Sequence, residues 1–184
     1  MTIDRSEAAA ALSDIDDIAR RVKQSRRYRL ASLMLMLWGA VTCFGYTASF
    51  ISPRTSITTW TLVYIVGFAG SLAISLLNYP RAGVRGFDLR TAAAVMLYVG
   101  FGLLVTSVLG HFGPRQLSAF WPIYIMLVYV TLGLWVGRAF VVIGVAIIAL
   151  TLIGYFYVGP WFELWMAAVN GGGLILGGLW MRRD

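Results

Sequence analysis

The sequence contains very few of the side chains on which metal sites and nucleophilic catalysis depend. Among 184 residues there is one cysteine, Cys43, and one histidine, His111. A single cysteine cannot form a disulfide within the chain, and one histidine cannot supply an HExxH zinc motif or a pair of haem ligands. No glycine-rich nucleotide-binding motif follows a predicted strand. We therefore predict no metal, no cofactor, no catalytic residues and no enzymatic activity.

Charged side chains are also scarce, and their positions are informative. Asp, Glu, Lys and Arg make up 12% of the residues, about half of the roughly 25% found in soluble domains, whereas hydrophobic residues make up 59%. No charge falls in the middle of a long apolar run. This pattern excludes a water-soluble globule and a disordered chain. The apolar runs also lack the buried carboxylate or histidine that is typical of proton-coupled transport. A lipid-modifying enzyme would have to use loop residues, such as Asp88, His111 and Arg115.

Six apolar runs of about 20 residues dominate the remaining sequence. As a helix rising about 1.5 Å per residue, each is long enough to cross a hydrocarbon core of roughly 30 Å, and none shows the strict alternation of a barrel strand. We therefore predict an all-α polytopic membrane protein, a bundle of six transmembrane helices preceded by a short amphipathic cytoplasmic helix. The predicted spans are residues 30–51, 59–78, 91–110, 117–136, 139–158 and 162–181.

The predicted connectors are short, and prolines mark their boundaries. Pro53, Pro80, Pro114 and Pro160 each fall at the edge of a run, as expected of residues that interrupt helices. Pro122 is predicted in the first turn or so of the fourth span, where its missing N–H costs little. Only Gly137 and Arg138 separate the fourth and fifth runs, which predicts a tight hairpin.

The basic residues predict the orientation of the chain. If residues 1–29 are cytoplasmic and the six spans alternate, thirteen of the fifteen Lys and Arg residues fall on the cytoplasmic side, and Arg54 and Arg115 fall outside. Such an excess of positive charge is typical of cytoplasmic loops in a cytoplasmic (inner) membrane. We therefore expect a multi-pass protein with both ends of the chain in the cytoplasm.

The first domain, residues 1–29, is predicted to be an amphipathic helix over residues 6–27. It is polar and too long for the leader of a cleavable signal peptide. Its second half is basic, and these side chains are candidate contacts for anionic lipid headgroups: Arg20, Arg21, Lys23, Arg26, Arg27 and Arg29. Alternatively the apolar face docks on a partner helix, or the segment only flanks the first span. Nucleic acid is excluded because the acidic first half would repel phosphate.

The second domain, residues 30–184, carries its most informative sequence in the sixth run. A predicted seam of small residues surrounds one amide near the membrane midplane, and it consists of Asn170, Gly171, Gly172, Gly173 and Gly177. Glycines at four-residue spacing let another helix approach closely, and the amide needs a hydrogen-bond partner because an unmet polar group in hydrocarbon is costly. The seam therefore either packs against a helix or lines the path of a solute.

Other polar residues in the runs carry weaker signals. The hydroxyls of four threonines are expected to bond to their own helix backbone, namely Thr42, Thr47, Thr131 and Thr151. Glu163, at the outer edge of the sixth run, is expected to pair with Arg115 or Arg54. A solute path would be lined by Asn170, Thr106, Ser71 and Ser75.

Two functional hypotheses follow from these features. The first is a non-enzymatic accessory, regulatory or assembly subunit that acts through helix–helix contacts, either in a homo-oligomer or with another membrane protein. The second is a small transporter or channel for a neutral or weakly polar solute. A dry, sealed interior around Asn170 favours the first, and a polar cleft that reaches Asn170 favours the second.

Overall fold

The computed structural model describes residues 5–82 and 89–182, with side chains for residues 28–78 and 93–182. Every element in the described ranges is helical. The α-helices are α1 (Arg5–Ile51), α2 (Ser56–Ala82), α3 (Leu89–Leu104), α4 (Pro114–Val136), α5 (Arg138–Tyr157), α6 (Phe162–Met166) and α7 (Gly173–Trp180). A π-helical turn over Val105–Leu109 extends α3, and a second over Ala167–Gly172 joins α6 to α7. We call residues 162–180 the last span.

The predicted fold class is confirmed, since the chain is an all-α membrane bundle. Five helical segments are long and apolar enough to cross a membrane, and a shorter apolar helix covers Ala93–Leu109. The hairpin predicted at Gly137 is also confirmed, because α4 ends at Val136 and α5 begins at Arg138. The described part of the first predicted domain, residues 5–29, and the first span belong to one continuous helix of 47 residues, α1.

The start of α4 differs from the prediction and changes the role of a proline. The helix begins at Pro114 and not at residue 117, because the Gln116 side chain accepts the Gly113 N–H at 2.7 Å and Pro114 occupies the first turn. Pro122 therefore lies more than two turns inside α4 and is buried. Its predicted place in the first turn is wrong, and the Ser118 carbonyl, four residues earlier, receives no helical N–H from it.

The core is formed by α1, α4, α5 and the last span. Leu35 of α1, Met126 of α4, Ile143 and Ile147 of α5 and Leu174 of α7 are all buried in one cluster. Helix α2 packs on the outside of α1, and α3 packs on the outside of α4. Both flanking helices keep most of their apolar side chains exposed, as expected for surfaces that face lipid.

The two ends of the bundle are defined by contacts between distant parts of the chain. At one end, the Tyr28 ring stacks on Phe140 close to Arg138, and we call this the Arg138 end. At the other, the Arg115 side chain donates to the Tyr155 carbonyl at 2.7 Å, and we call this the Arg115 end. Every core helix runs between these two ends.

Candidate functional site

Asn170 lies inside the bundle, where the last span meets α1. Its residue is 6% exposed, and the interface around it is closely packed. A β-carbon added to Gly171 would lie 2.5 Å from Cys43 Cβ and 2.7 Å from Cys43 Cα, and one added to Gly39 would lie 2.7 Å from the Gly171 carbonyl oxygen. The two backbones therefore approach at distances that only glycine permits.

The glycines that follow Asn170 lie on different faces of the last span and meet different helices. Gly171 faces α1, whereas Gly173 and Gly177 face Ile147 and Ile143 of α5. No atom lies within 4 Å of the β-carbon position of Gly172. The predicted seam is thus divided between two helices of the same chain, because Gly171 and Gly173 are two residues apart and lie on nearly opposite sides of the helix.

A buried tyrosine donates a hydrogen bond to the carbonyl that receives no helical N–H because of Pro122. The Tyr46 hydroxyl donates to the Ser118 carbonyl at 3.0 Å, and Tyr46 is 2% exposed. Tyr46 also packs in one buried cluster with Phe162 and Met166 of the last span. Tyr46 therefore links α1 to α4 and to the last span. Sequence reasoning missed this contact, although a proline inside a helix signals a free carbonyl four residues earlier.

Ser118 extends this set of contacts to Glu163 at the Arg115 end. The Ser118 hydroxyl donates to Glu163 Oε1 at 2.8 Å. Arg115 was expected to pair with Glu163, but its Nη2 donates to the Tyr155 carbonyl. The guanidinium carbon lies 5.5 Å from the Tyr155 ring centre and 5.1 Å from that of Phe162, within the range of cation–π attraction. Arg54 is exposed.

Four buried polar atoms of the described side chains have no hydrogen-bond partner: Arg115 Nε, Glu163 Oε2, Asn170 Oδ1 and Thr151 Oγ1. Thr42, Thr47 and Thr131 return their hydroxyls to their own helix, as predicted, but the prediction for Thr151 is wrong. We call Tyr46, Ser118, Glu163, Arg115 and Asn170 the polar cluster. Tyr46 and Asn170 are buried, and the other three side chains are half-buried.

The polar cluster can join helices, because its hydrogen bonds run from α1 to α4 and from α4 to the last span. Within the described ranges, no three His, Cys, Asp or Glu side chains come close enough to hold a metal ion. The polar cluster has one carboxylate, Glu163, and one guanidinium, Arg115, near the Arg115 end.

The other residues suggested for a solute path are not gathered around Asn170. Ser71 of α2 accepts the Trp38 indole N–H at 3.1 Å, Ser75 is exposed, and Thr106 donates to Gly102 of its own helix at 2.9 Å. Of the candidate headgroup contacts, Arg29 is exposed. The side chains of Arg20, Arg21, Lys23, Arg26 and Arg27 lie outside the described residues.

No similar protein was found with which this geometry can be compared. Comparison of the chain with protein-family models, with curated proteins and with solved structures gives no match.

Proposed function

We propose that the protein is a non-enzymatic accessory or assembly subunit of the cytoplasmic (inner) membrane that acts through helix–helix contacts with another membrane protein. The observation that carries this proposal is the one-sided attachment of α3. Tyr98 and Gly102, one turn apart, meet Tyr124 of α4. The opposite side of α3 has no neighbour in the described structure.

The open side of α3 suits a partner helix. Met96, Gly100 and Leu104 follow one another at four-residue spacing and therefore share a face. Met96 is 77% exposed, Leu104 is 47% exposed, and nothing lies within 4 Å of the β-carbon position of Gly100. A glycine flanked by larger apolar side chains allows another helix to approach closely in lipid.

The packing around Asn170 supports this function over the transporter alternative. The amide lies where Gly39, Gly171 and Cys43 bring two backbones together, so a solute at Asn170 would have to separate α1 from the last span. The other proposed path residues lie on α2 and α3. These positions favour a structural role for the polar side chains.

The proposed orientation puts the Arg138 end and both ends of the chain in the cytoplasm. Its support is the charge distribution, because thirteen of fifteen basic residues fall on that side if the six predicted spans alternate, and basic residues favour the cytoplasmic side. Along the continuous helix α1, residues 20–27 come directly before the first apolar segment, which starts at Tyr28 and includes Arg29. Their basic side chains would then lie near anionic headgroups, with the acidic residues farther from the membrane.

Photo-crosslinking from α3 in native membranes tests the proposal. With a photoreactive amino acid at Met96 or Leu104, we expect an adduct of discrete mass, and we expect Gly100→Ile to abolish it. Two matched controls are available. Ile153 of α5 is 47% exposed, comparable with Leu104, and should give no such adduct. Gly172→Ile also adds a side chain where no atom lies within 4 Å, and it should leave the α3 adduct unchanged.

A second measurement distinguishes the two hypotheses. Proteoliposomes containing the purified protein should admit glycerol or urea no faster than protein-free vesicles. Solute entry that depends on Asn170, or adducts of equal yield from α3 and from Ile153, would refute the assembly function.

A further inference from the structure

An apolar groove lies on the outside of the bundle between α5 and the last span. Its volume is about 270 Å³, and its lining is formed only by apolar residues and glycine, among them Val142, Ala146 and Leu150 of α5 and Gly173 and Gly177 of the last span. The small residues Ala146, Gly173 and Gly177 make room where larger side chains would fill the space. The groove is therefore built into the packing of these two helices and not into the polar cluster.

The dimensions of the groove match one extended hydrocarbon chain. Val142 and Leu150 are eight residues apart, or about 12 Å along a helix, and half of a hydrocarbon core is about 15 Å. A volume of about 270 Å³ spread over such a length gives a cross-section of about 20 Å². An α-helix about 10 Å across needs about 80 Å², so the groove itself is too narrow to receive one.

Basic side chains stand at one end of this groove. Arg138 lies one turn before Val142 on α5, Arg182 follows Trp180 by two residues, and both arginines are exposed. Trp180, which lines the groove, is 42% exposed, and tryptophan favours the headgroup level of a bilayer. A molecule that fits would therefore combine an apolar chain with a negative group at the Arg138 end.

We propose that the groove binds an anionic phospholipid, with one acyl chain along Ala146 and Gly173 and the phosphate beside Arg138 and Arg182. Under the proposed orientation the lipid belongs to the cytoplasmic leaflet. Binding does not require the α3 contact, so the lipid site and the proposed function can fail independently. The acyl chain contributes apolar burial, and the arginines give the preference for negative headgroups.

Native mass spectrometry of the full chain tests this site. After purification in a mild detergent, the protein is mixed with phosphatidylglycerol or phosphatidylcholine, and the fraction carrying one lipid is measured. We expect phosphatidylglycerol to be retained at least five-fold better. Arg138→Gln should reduce this preference at least two-fold, while some binding through the acyl chain persists.

Groove-filling variants have close controls within the same helices. Ala146→Leu and Gly173→Leu should each lower bound phosphatidylglycerol at least five-fold, since both positions line the groove. Ala149→Leu and Gly172→Leu add the same bulk outside it and should change binding less than two-fold. Gly172 and Gly173 both have ordinary helical backbone angles, with φ of −63° and −60°, so the substitutions are matched. Size-exclusion profiles and circular dichroism in the helical range identify any variant that fails to fold. The valine substitution at the same position then replaces that variant.

Three results would overturn the proposal. Equal retention of the two lipids would remove the headgroup preference, and equal losses in groove and control variants would remove the site. Dissociation of an oligomer by the groove variants alone would instead identify a second copy of this chain as the occupant. Because the α3 crosslink is measured on a helix that does not line the groove, none of these results decides the assembly function.

Discussion

Two helix contacts in this bundle are built in opposite ways. The last span meets α1 through backbone, with Gly171 against Cys43 and Gly178 within 2.9 Å, at its β-carbon position, of the Ser32 carbonyl. Helix α3 meets α4 through aromatic rings, with the Tyr98 and Tyr124 centres 4.1 Å apart. The first contact joins core helices, and the second holds a peripheral helix at a distance. The core contact therefore depends on glycines, whose missing side chains let two backbones meet. The contact of the peripheral helix α3 depends instead on large aromatic side chains.

The largest expected effect comes from adding one methyl group to the backbone contact. Gly171→Ala would put a β-carbon 2.5 Å from Cys43 Cβ, so α1 and the last span must separate. We expect a loss of about 1–3 kcal/mol in the free energy of unfolding, the usual cost of overpacking, measured by denaturation in mixed micelles.

Gly172→Ala is the matched control for that comparison. Its β-carbon position has no atom within 4 Å, so the change should alter stability by less than about 0.5 kcal/mol, as surface substitutions do. Equal destabilisation by the two variants would mean that glycine flexibility in the π-helical turn matters more than close approach.

A smaller and more local effect is expected at the aromatic contact. Tyr98→Leu removes the ring stack and the hydroxyl that donates to the Tyr124 carbonyl. The Tyr124 hydroxyl still donates to the Tyr98 carbonyl at 2.8 Å. We expect a local loss of about 1–2 kcal/mol, from typical values for aromatic pairs and hydrogen bonds.

Hydrogen exchange reports this loss where global unfolding does not. Amides of residues 93–109 should exchange about tenfold faster in Tyr98→Leu, since about 1.4 kcal/mol corresponds to a factor of ten, while the core helices keep their protection. Leu97→Ala, at a side chain that is 75% exposed, is the control. Faster exchange throughout the core would contradict the peripheral role of α3.

The sequence predicted the spans well because a long apolar run needs only lipid to be helical. The glycine seam was visible too, since spacing of small residues indicates close approach. Which helix approaches was not visible. Residues two apart lie on nearly opposite sides of a helix, so Gly171, toward α1, and Gly173 and Gly177, toward α5, make two separate contacts. Spacing separates these two faces, but it does not identify the helix that meets each of them.

The polar cluster was harder to predict because its partners are far apart in the chain. Glu163 and Arg115 were assigned to the same side, yet opposite charge alone did not decide the pairing. Ser118 reaches the carboxylate, and the Tyr155 carbonyl takes the guanidinium. Nothing in the sequence pattern distinguishes Tyr46, which lies within the first predicted span. Its role depends on the true start of α4, which moves Pro122 into the helix interior.

The smallest expected effect concerns the side-chain contact that lies within the core. Tyr46→Phe removes the donor to the Ser118 carbonyl and should cost about 1 kcal/mol, because the carbonyl loses its partner in a buried place. Pro122→Ala restores a backbone N–H four residues after Ser118. Alone it should be nearly neutral, since a carbonyl oxygen can accept two hydrogen bonds.

The double variant separates hydrogen bonding from packing at this position. If the lost carbonyl bond accounts for the cost of Tyr46→Phe, Pro122→Ala should recover about 0.5–1 kcal/mol in that background, and the double-mutant cycle should show coupling of this size. If the two changes are additive, the cost does not come from the Ser118 carbonyl, and the proline is only a helix irregularity. Coupling would instead mean that the Tyr46 hydroxyl of α1 replaces the one helical hydrogen bond that α4 lacks at the Ser118 carbonyl. This polar contact would then join α1 to α4 as the glycine contact joins α1 to the last span.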